Sequence, residues 1–445
     1  MSNQSNKSLF EKVFKLSEHK TNIKTEVIAG ITIFVTMAYI LAVNPIVLEP
    51  SGMDKGAVFT ATVIASVIST LLMGFIANLP FGLSAGMGLN AFFSSTVVLQ
   101  MGHSWQFALT AVFVEGIIFI ILSLFKVREY IVNGMPLVIK NAVACGIGIF
   151  IAFIGLKSAG IVKADPANII ALGDVTSPSA IICIVGMLII LGLTIAKVRG
   201  AMLIGIVVAT LIGIPLHVTQ LPNGIVSMPP SIAPTAFAFT QFSMSEILSF
   251  DMFVVVFTFL FIDMFDTIGT LIGTASKANM LDKDGNLPNA GKALLADAVG
   301  TTVGAMLGTS TVTTFVESSA GIAEGGRTGL TAVTTAVMFF ISLFFAPLFM
   351  IIPGAATASA LIVVGLFMIG GISKINFEDY TEGFPAFLTI IMMTLTGSIG
   401  DGLMIGIIFY VAAKVIARRF KEVSPFILIL SIIFIIKYIA PVIFS

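Results

Sequence analysis

The chain has 445 residues, of which 57% are hydrophobic and only 10% are charged, and its formal net charge is zero. Soluble domains carry about 25% charged residues, so this composition excludes an ordinary water-soluble protein. The hydrophobic residues fall into many separate runs of about 17–24 residues, the length that an α-helix needs to cross a bilayer. Such runs are too long for the alternating strands of about ten residues that build membrane β-barrels. We therefore predict an all-α protein that crosses a membrane many times.

The polar residues 1–25 form a predicted N-terminal tail that lacks the apolar stretch of a signal peptide. Fourteen spans are predicted after this tail. The apolar residues 425–444 are not assigned to a span. They could form an interfacial segment or a hairpin, or they could indicate that one earlier span is wrongly predicted. The fourteen spans are 27–46, 56–78, 85–100, 105–125, 137–157, 178–196, 200–216, 251–274, 291–308, 315–325, 330–352, 355–372, 383–398 and 401–417.

Lysine and arginine concentrate in cytoplasmic loops and therefore test this topology. They precede span 1 and follow every even-numbered span except the second, whereas residues 200–276 contain none. This alternation predicts a cytoplasmic N-terminus and an extracytoplasmic loop at 217–250, in the cell membrane. Lys55, Lys157 and Lys163 fall on the wrong side. The residues that follow the rule are Lys7, Lys12, Lys15, Lys20, Lys24, Lys126, Arg128, Lys197, Arg199, Lys277, Lys283, Arg327, Lys374, Arg418, Arg419 and Lys421.

The 217–250 loop divides the chain into two halves of seven spans, residues 26–216 and 251–445. Because seven is an odd number, the halves cross the membrane in opposite directions, as in an inverted repeat. The third span of each half is short and interrupted by small residues. Segments of this kind at matching positions indicate a transporter's binding site, since irregular backbone at membrane depth must be buried or line a cavity.

We therefore predict a short strand followed by a half-helix in spans 3 and 10. Glycines at 82, 86 and 88 permit an extended entry to the first half-helix, which is predicted to start near Asn90. A run of threonine and serine from 309 to 314 favours a strand before the second half-helix, which is predicted to start near Glu317. The alternative is that these glycines serve helix packing.

Two aspartates lie inside the apolar span 8. Their spacing places Asp263, Asp266, Thr267 and Thr270 on one helical face. An acid inside a membrane costs about 2.5–3.5 kcal/mol on insertion scales. Two neighbouring acids would also repel each other unless one is protonated or neutralised. The pair therefore indicates a functional site, and the alternative for one of them is a hydrogen bond to a neighbouring helix.

Three further acids are candidates. Glu317 lies at a predicted half-helix start, where the helix dipole favours its charge, and its alternative role is a simple cap. Glu115 in span 4 and Asp297 in span 9 fit either cation coupling or hydrogen bonding between helices. In contrast, Asn44 and Pro45 are expected to end span 1.

Aromatic, cysteine and histidine side chains provide weaker indications of a site than the acids do. An aromatic ring could stack on a planar substrate, whereas Cys145 and Cys183 lie in apolar runs and are expected to be buried thiols. The three histidines are scattered, so no metal site and no cofactor are expected. The candidate rings are Phe92, Phe259, Phe261 and Phe315.

Three segments, at residues 84–93, 261–270 and 313–322, together resemble the azaguanine-like purine permeases, a branch of the nucleobase–cation symporter and nucleobase–ascorbate superfamily. The resemblance covers essentially the whole chain. It implies fourteen helices in two inverted repeats, with a core domain from spans 1–4 and 8–11 and a gate domain from spans 5–7 and 12–14. It also implies import of hypoxanthine, guanine or adenine by proton symport with alternating access.

The resemblance also assigns residues. It implies that Asn90, Asp263 and Glu317 contact the base, and we add Ser318 and Phe261 to this expected set. Proton coupling or support of the site is expected from Asp266, Thr267, Glu115 and Asp297. Glu317 is followed by Ser-Ser-Ala-Gly and not by the Asn-x-Gly frequent in the wider superfamily. This departure argues against xanthine, uracil and ascorbate.

The expected partners are a purine base, protons and the lipid bilayer, with no nucleic acid; a homodimer is left open. The main rival is a transporter of an anion or another small solute with the same architecture, and the acid-rich centre argues against an anion. A channel would need polar residues along whole spans, whereas these cluster at the centre. An enzyme is not expected, because no hydrolytic triad, paired histidines or phosphate loop is present.

Overall fold

The computed structural model describes residues 9–125, 135–166, 168–222, 224–241, 244–277, 280–281 and 287–444. Lys7, Lys126, Arg128 and Lys283, used above in the topology prediction, lie outside these ranges. In chain order the helices and strands are α1 Leu9–Phe14, α2 Ile23–Met37, α3 Ile40–Leu48, α4 Lys55–Leu72, β1 Leu83–Ala85, α5 Met87–Ala91, α6 Trp105–Phe125, α7 Leu137–Ser158, β2 Val162–Asp165, β3 Ile169–Leu172, α8 Pro178–Ile195, α9 Ala201–Gly213, α10 Met244–Ile247, α11 Phe250–Lys277, α12 Ala290–Leu307, β4 Val312–Thr314, α13 Ser318–Ala323, α14 Gly329–Ser342, α15 Ala346–Met350, α16 Gly354–Met368, α17 Tyr380–Leu395, α18 Ile399–Ile416 and α19 Pro425–Phe444.

The described part of the chain is mainly helical, as the composition predicts, and nine of its helical segments are long and apolar enough to cross a membrane. Most of the remaining predicted spans are shorter or interrupted helices, such as α9 and the two half-helices, whereas span 9 forms the uninterrupted 18-residue helix α12. Within the described ranges the β-structure is limited to two antiparallel pairs, β1 with β4 and β2 with β3. The β2–β3 hairpin follows span 5 and was not predicted from the sequence.

The helix pairs repeat between the two halves. Span 4 packs on spans 8 and 9, and its counterpart, span 11, packs on spans 1 and 2. In the same way span 5 packs on span 13, and its counterpart, span 12, packs on span 6. This exchange of partners is what an inverted repeat of seven produces, and the predicted fold class is confirmed.

A further close contact joins spans 5 and 12, the counterparts of each other. A Cβ atom on Gly148 would lie only 2.6 Å from the carbonyl oxygen of Gly365. The two backbones therefore touch directly, and any larger side chain at either position would push α7 and α16 apart.

The short strands of spans 3 and 10 pair at the centre of the molecule. The register joins Leu83 to Thr314 and Ala85 to Val312. The helix after β1 begins at Met87, three residues before the predicted start, and continues as a π-helix through residues 92–100. The helix after β4 begins at Ser318 with Glu317 as its N-cap residue, close to the predicted start.

The first span does not end at residues 44–45. It breaks at residues 38–39 and continues as α3, which contains Pro45. Asn44 is fully buried there, and its amide donates to the hydroxyls of Thr62, at 2.7 Å, and Thr309, at 2.9 Å. The prediction that Asn44 ends the span was wrong, because proline fits a helix whose lost backbone bond other polar groups replace.

Residues 425–444, which the sequence left unassigned, form the single helix α19. The Tyr438 hydroxyl donates to Asp401 at 2.9 Å, near the start of α18, and the Tyr410 hydroxyl donates to the Glu422 carbonyl at 3.3 Å, beyond its end. The helix therefore runs antiparallel along the last predicted span, with Ile427, Leu430 and Phe434 buried against its neighbours.

Candidate functional site

A cavity of about 710 Å³ lies between α11 and α7. Its wall includes Gly88 and Leu89 from the first half-helix and Val316 and Ser319 from the second. A Cβ atom on Gly88 would lie 2.7 Å from Ile147 in α7, so the half-helix and α7 are in contact beside the cavity. The place where both half-helices begin therefore forms part of a chamber large enough for a small organic molecule.

The cavity extends to the first turn of α7 and the last turns of α11, where Leu137, Lys140 and Thr274 line it. The topology prediction puts these helix ends on the cytoplasmic side. At the far end of span 3, the Thr96 hydroxyl donates to the Gly397 carbonyl at 2.9 Å, and the Gln100 amide donates to the Thr396 carbonyl. Spans 3 and 13–14 are therefore joined at the other side of the membrane.

Two carboxyl groups are near this chamber and partly exposed. Asp266 on α11 lines the cavity. Glu317 follows Val316 of the cavity wall, and its carboxylate accepts a hydrogen bond from the Tyr39 hydroxyl at 2.7 Å. Tyr39 lies at the break between α2 and α3, so the irregular backbone of span 1 holds Glu317 in place.

Three other acids are fully buried behind the cavity wall: Glu115 on α6, Asp263 on α11 and Asp297 on α12. The carboxyl groups of Glu115 and Asp263 are electrostatic neighbours, as are those of Asp263 and Asp297. We call these three residues the acid cluster. None of the ion pairs within the described ranges includes a member of the acid cluster.

Thr267 connects the acid cluster to the strand before Glu317. Its hydroxyl lies 3.1 Å from the Asp297 carboxylate and 2.8 Å from the hydroxyl of Thr313 on β4. The Thr314 hydroxyl also donates to Asp297, at 3.3 Å. One turn of α11 thus carries Asp266 on the cavity wall and Asp263 with Thr267 in the buried interior.

Asn90 and Ser318, predicted to contact substrate, are both fully buried where the two interrupted spans meet. The Ser310 hydroxyl donates to the Asn90 side-chain oxygen, whereas the Asn90 NH₂ group has no hydrogen-bond partner among the residues that the structure describes. The Ser318 hydroxyl accepts a bond from the Gly82 backbone N–H at 3.0 Å. Each of these side chains therefore ties one interrupted span to the other.

Phe261, also in the expected substrate set, is 2% exposed and does not line the cavity. Its ring centroid lies 4.4 Å from that of Phe265, which does line it. Phe92 and Phe259 pack edge to face at 4.8 Å, and Phe315 is buried as well. Of the α11 rings, Phe265 is thus the one in position to meet a ligand.

Sequence reasoning missed several polar residues near the site. Tyr39 had a signal, a lone tyrosine inside an apolar span. Asn141 and Lys140 line the cavity from α7 and follow the start of a span that was read as apolar. Glu26 is fully buried and accepts bonds from the Thr328 and Thr331 hydroxyls at 2.8 and 2.6 Å, so it holds the start of α14.

Comparison with known proteins gives a consistent picture. The model of a permease family (Xan_ur_permease) matches residues 24–405. A putative permease of Methanocaldococcus jannaschii, MJ0326, is 50% identical over 96% of this chain and 98% of its own length. The guanine/hypoxanthine permease PbuO of Bacillus subtilis is 44% identical over 96% of this chain and 99% of its own. The adenine permease AdeP of Escherichia coli is 40% identical over 98% and 97%.

Among solved structures, the transmembrane domain of the cyanobacterial bicarbonate transporter BicA matches with a TM-score of 0.65 at 19% identity, over 86% of this chain and 97% of that one. The structure of SLC26A9 matches with a TM-score of 0.64 at 12% identity, over 94% of this chain and 72% of that one. At this identity the likeness shows a shared fold and nothing about the substrate.

Proposed function

This chain belongs to the permease family, a family of membrane transporters and not of enzymes, and from that premise we propose that it imports purine nucleobases by proton symport. Hypoxanthine, guanine and adenine are the proposed substrates, because relatives at 40–44% identity over nearly the whole chain carry these bases in their names. The proposed location is the cell membrane, with the N-terminus in the cytoplasm.

The observation that carries the proposal is the pair of partly exposed carboxyl groups beside the cavity, Asp266 on α11 and Glu317 at the start of the second half-helix. A purine presents ring N–H and exocyclic NH₂ donors along one edge, and a carboxylate accepts two such bonds at once. The N–H groups of Met87, Gly88 and Leu89 precede the first helical bond of α5, which Asn90 makes to Gly86. Donors of this kind suit the carbonyl and ring nitrogens of the base.

The roles that we propose for the site residues differ from those that the sequence predicted. Asp263 was expected to contact the base and Asp266 to support the site or the proton coupling. In the structure Asp266 lines the cavity, whereas Asp263 is buried in the acid cluster. We therefore propose Asp266 and Glu317 as direct acceptors, with Asn90, Asp263 and Ser318 holding the surrounding backbone and charge. Phe265 takes the stacking role proposed for Phe261. Coupling is assigned to the acid cluster with Thr267.

Alternating access is proposed as movement of the core domain, spans 1–4 and 8–11, against the gate domain, spans 5–7 and 12–14. The support for this is that the cavity lies between α11 of the proposed core and α7 of the proposed gate. The hydrogen bonds from Thr96 and Gln100 to residues 396–397 join the same two domains at the opposite side. The conformation fits an inward-open state, which is one end of such a cycle.

Uptake of radiolabelled hypoxanthine into cells that express the protein tests the proposal. We expect unlabelled hypoxanthine, guanine or adenine to compete, and xanthine and uracil to compete poorly, because their 2-carbonyl oxygen places an acceptor where guanine has an NH₂ donor and leaves a buried acid unpaired. A protonophore should abolish accumulation. Accumulation that instead follows a sodium gradient would contradict proton symport, and equal competition by uracil would contradict the purine assignment.

The second candidate is the alternative that the sequence left open, transport of an anion or another small solute by the same architecture, and bicarbonate, the solute named for BicA, represents it here. The carboxyl groups of Asp266 and Glu317 would repel an anion in the same chamber. Uptake of labelled bicarbonate above the level of empty cells, unaffected by purines, would favour this candidate over the proposed one.

A further inference from the structure

The acid cluster holds more acid than binding of a base requires. Glu115, Asp263 and Asp297 come from three different helices and are all fully buried. The helices approach closely at this level, since a Cβ atom on Gly116 would lie 2.6 Å from the Thr302 hydroxyl and 3.0 Å from its backbone nitrogen. Such tight contact between α6 and α12 keeps bulky groups out, so the carboxyl groups depend on each other and on nearby hydroxyls.

Donors to the acid cluster are too few for three ionised carboxylates. Thr267 and Thr314 offer hydroxyls to Asp297. Both Glu115 oxygens and one Asp263 oxygen receive no N–H or hydroxyl donor from the described residues, although they are shielded from solvent. An ionised carboxylate is acceptor-only, and two ionised carboxylates buried side by side repel each other, so a proton on Glu115 or Asp263 removes both costs.

The charged groups around Glu115 do not replace that proton. Among the described residues, the titratable groups that face it from packed elements are Asp263 on α11 and Asp297 on α12, both of them acids, and Asp266 adds a further acid beside Asp263. Strand β4 contributes only threonine hydroxyls, and the π-helical residues 92–100 contribute no ionisable side chain. Separating a proton from this cluster therefore leaves uncompensated negative charge in an apolar interior.

We infer that a proton shared between Glu115 and Asp263 is the coupling ion, and that Glu115 carries it without ever touching the substrate. This inference rests on the proposed proton symport. On loading, an O–H bond forms at the Glu115–Asp263 pair and one negative charge disappears; on release, that bond breaks and the proton passes to water. Thr267 transmits the change, because its hydroxyl contacts both Asp297 and Thr313, four residues before Glu317.

Interhelical hydrogen bonding is the simpler explanation of Glu115, and Glu115→Gln separates the two. Glutamine keeps the size and hydrogen bonds of the side chain but cannot gain or lose a proton. The experiment uses purified full-length protein in liposomes, with labelled hypoxanthine. It compares accumulation driven by an inward pH gradient with exchange against internal unlabelled hypoxanthine at equal pH. Proton-for-base symport yields about tenfold accumulation per pH unit, since one unit is worth about 1.4 kcal/mol.

We expect Glu115→Gln to lose the accumulation that the pH gradient drives. The factor by which its exchange rate falls should be at least about ten times smaller than the factor by which its accumulation falls, because one pH unit of driving force is worth about tenfold. Glu115→Asp should restore part of the response to the gradient. Asp401→Asn is the matched control, an acid in a span outside the site that accepts a bond from Tyr438, and it should behave as the wild type. A Glu115→Gln protein that still accumulates hypoxanthine with the pH gradient overturns the inference.

The two proposals can fail separately. A wild type that exchanges hypoxanthine but ignores the pH gradient overturns proton symport and, with it, the role of Glu115. If the wild type and Glu115→Gln respond equally to the pH gradient, only the role of Glu115 is overturned. Should Glu115→Gln not reach the membrane, carbodiimide labelling of the wild type decides, because this reagent attacks protonated carboxyl groups in apolar surroundings. Carbodiimide labelling of the peptide that contains Glu115, lost when the pH is raised, supports the inference. A peptide that is not labelled at any pH overturns it.

Discussion

The two interrupted spans, residues 83–100 and 312–323, share a plan but carry opposite chemistry. In each, a three-residue strand leads into a helix at the centre of the molecule. The first is glycine-rich, and its opening N–H groups precede the first helical hydrogen bond. The second is threonine-rich, and the N–H groups of Ser318 and Ser319 already bond to the carbonyls of Phe315 and Val316.

The difference indicates how an inverted repeat builds an asymmetric site. The first interrupted span offers hydrogen-bond donors. In the second interrupted span the corresponding N–H groups are already bonded, and this span offers a carboxylate, Glu317. A molecule with donors on one edge and acceptors on another needs both kinds of partner. Cross-ties from Ser310 to Asn90 and from Gly82 to Ser318 then hold the two spans in register. Four substitutions test this comparison.

The largest effect is expected from Glu317→Gln, which removes the acceptor side of the site. Loss of two charge-assisted hydrogen bonds, each worth about 1.5–3 kcal/mol, should lower kcat/KM for purine uptake by about 100-fold or more. Glu324→Gln at the other end of the same half-helix is the control and should retain uptake. Comparable uptake by Glu317→Gln, at normal membrane levels, would remove Glu317 from the site.

Asn90→Ala tests the donor side. It removes the unpartnered NH₂ group and leaves the Ser310 hydroxyl without its acceptor. An unsatisfied buried polar group costs about 1–3 kcal/mol, so we expect uptake to fall by about tenfold or more. Initial rates over a range of hypoxanthine concentrations measure the loss. An unchanged rate would mean that span 3 contributes backbone groups alone.

Ser318→Ala should affect stability more than recognition. It leaves the Gly82 N–H without an acceptor, at a cost of about 1–3 kcal/mol. The expected result is a lower melting temperature of the detergent-solubilised protein with a smaller change in KM. Ser319→Ala is the matched control, because Ser319 lines the cavity and makes no comparable tie. The reverse ranking of the two melting temperatures would contradict the cross-tie.

Tyr39→Phe should give the smallest effect. It removes one hydrogen bond to Glu317, and a typical bond contributes about 0.5–1.5 kcal/mol. We expect KM for the base to rise about two- to tenfold with little change in protein level, because the ring stays in place. A loss as large as that of Glu317→Gln would show that Tyr39 takes part in transport itself.

Much of this fold is predictable because the evidence for it is local. Apolar runs of membrane length, the odd number of spans per half and the broken third span follow from residue order alone. The half-helix starts were predicted to within three residues, since glycine, threonine and the dipole act over a few residues. Asn44 could not be predicted, because its partners Thr62 and Thr309 are distant in the chain.

By itself, the sequence determined that Asp263 and Asp266 share one stretch of a membrane helix, and from the cost of such acids in lipid it predicted a functional site there. Tertiary structure alone decided which of them faces the cavity and which faces Glu115 and Asp297. The physical reason is that a spacing of three residues leaves about 60° between two side chains on a helix of 3.6 residues per turn. That angle is enough to point one acid at a chamber and the other at a neighbouring helix, and only the packing of α6, α7 and α12 around α11 fixes which is which.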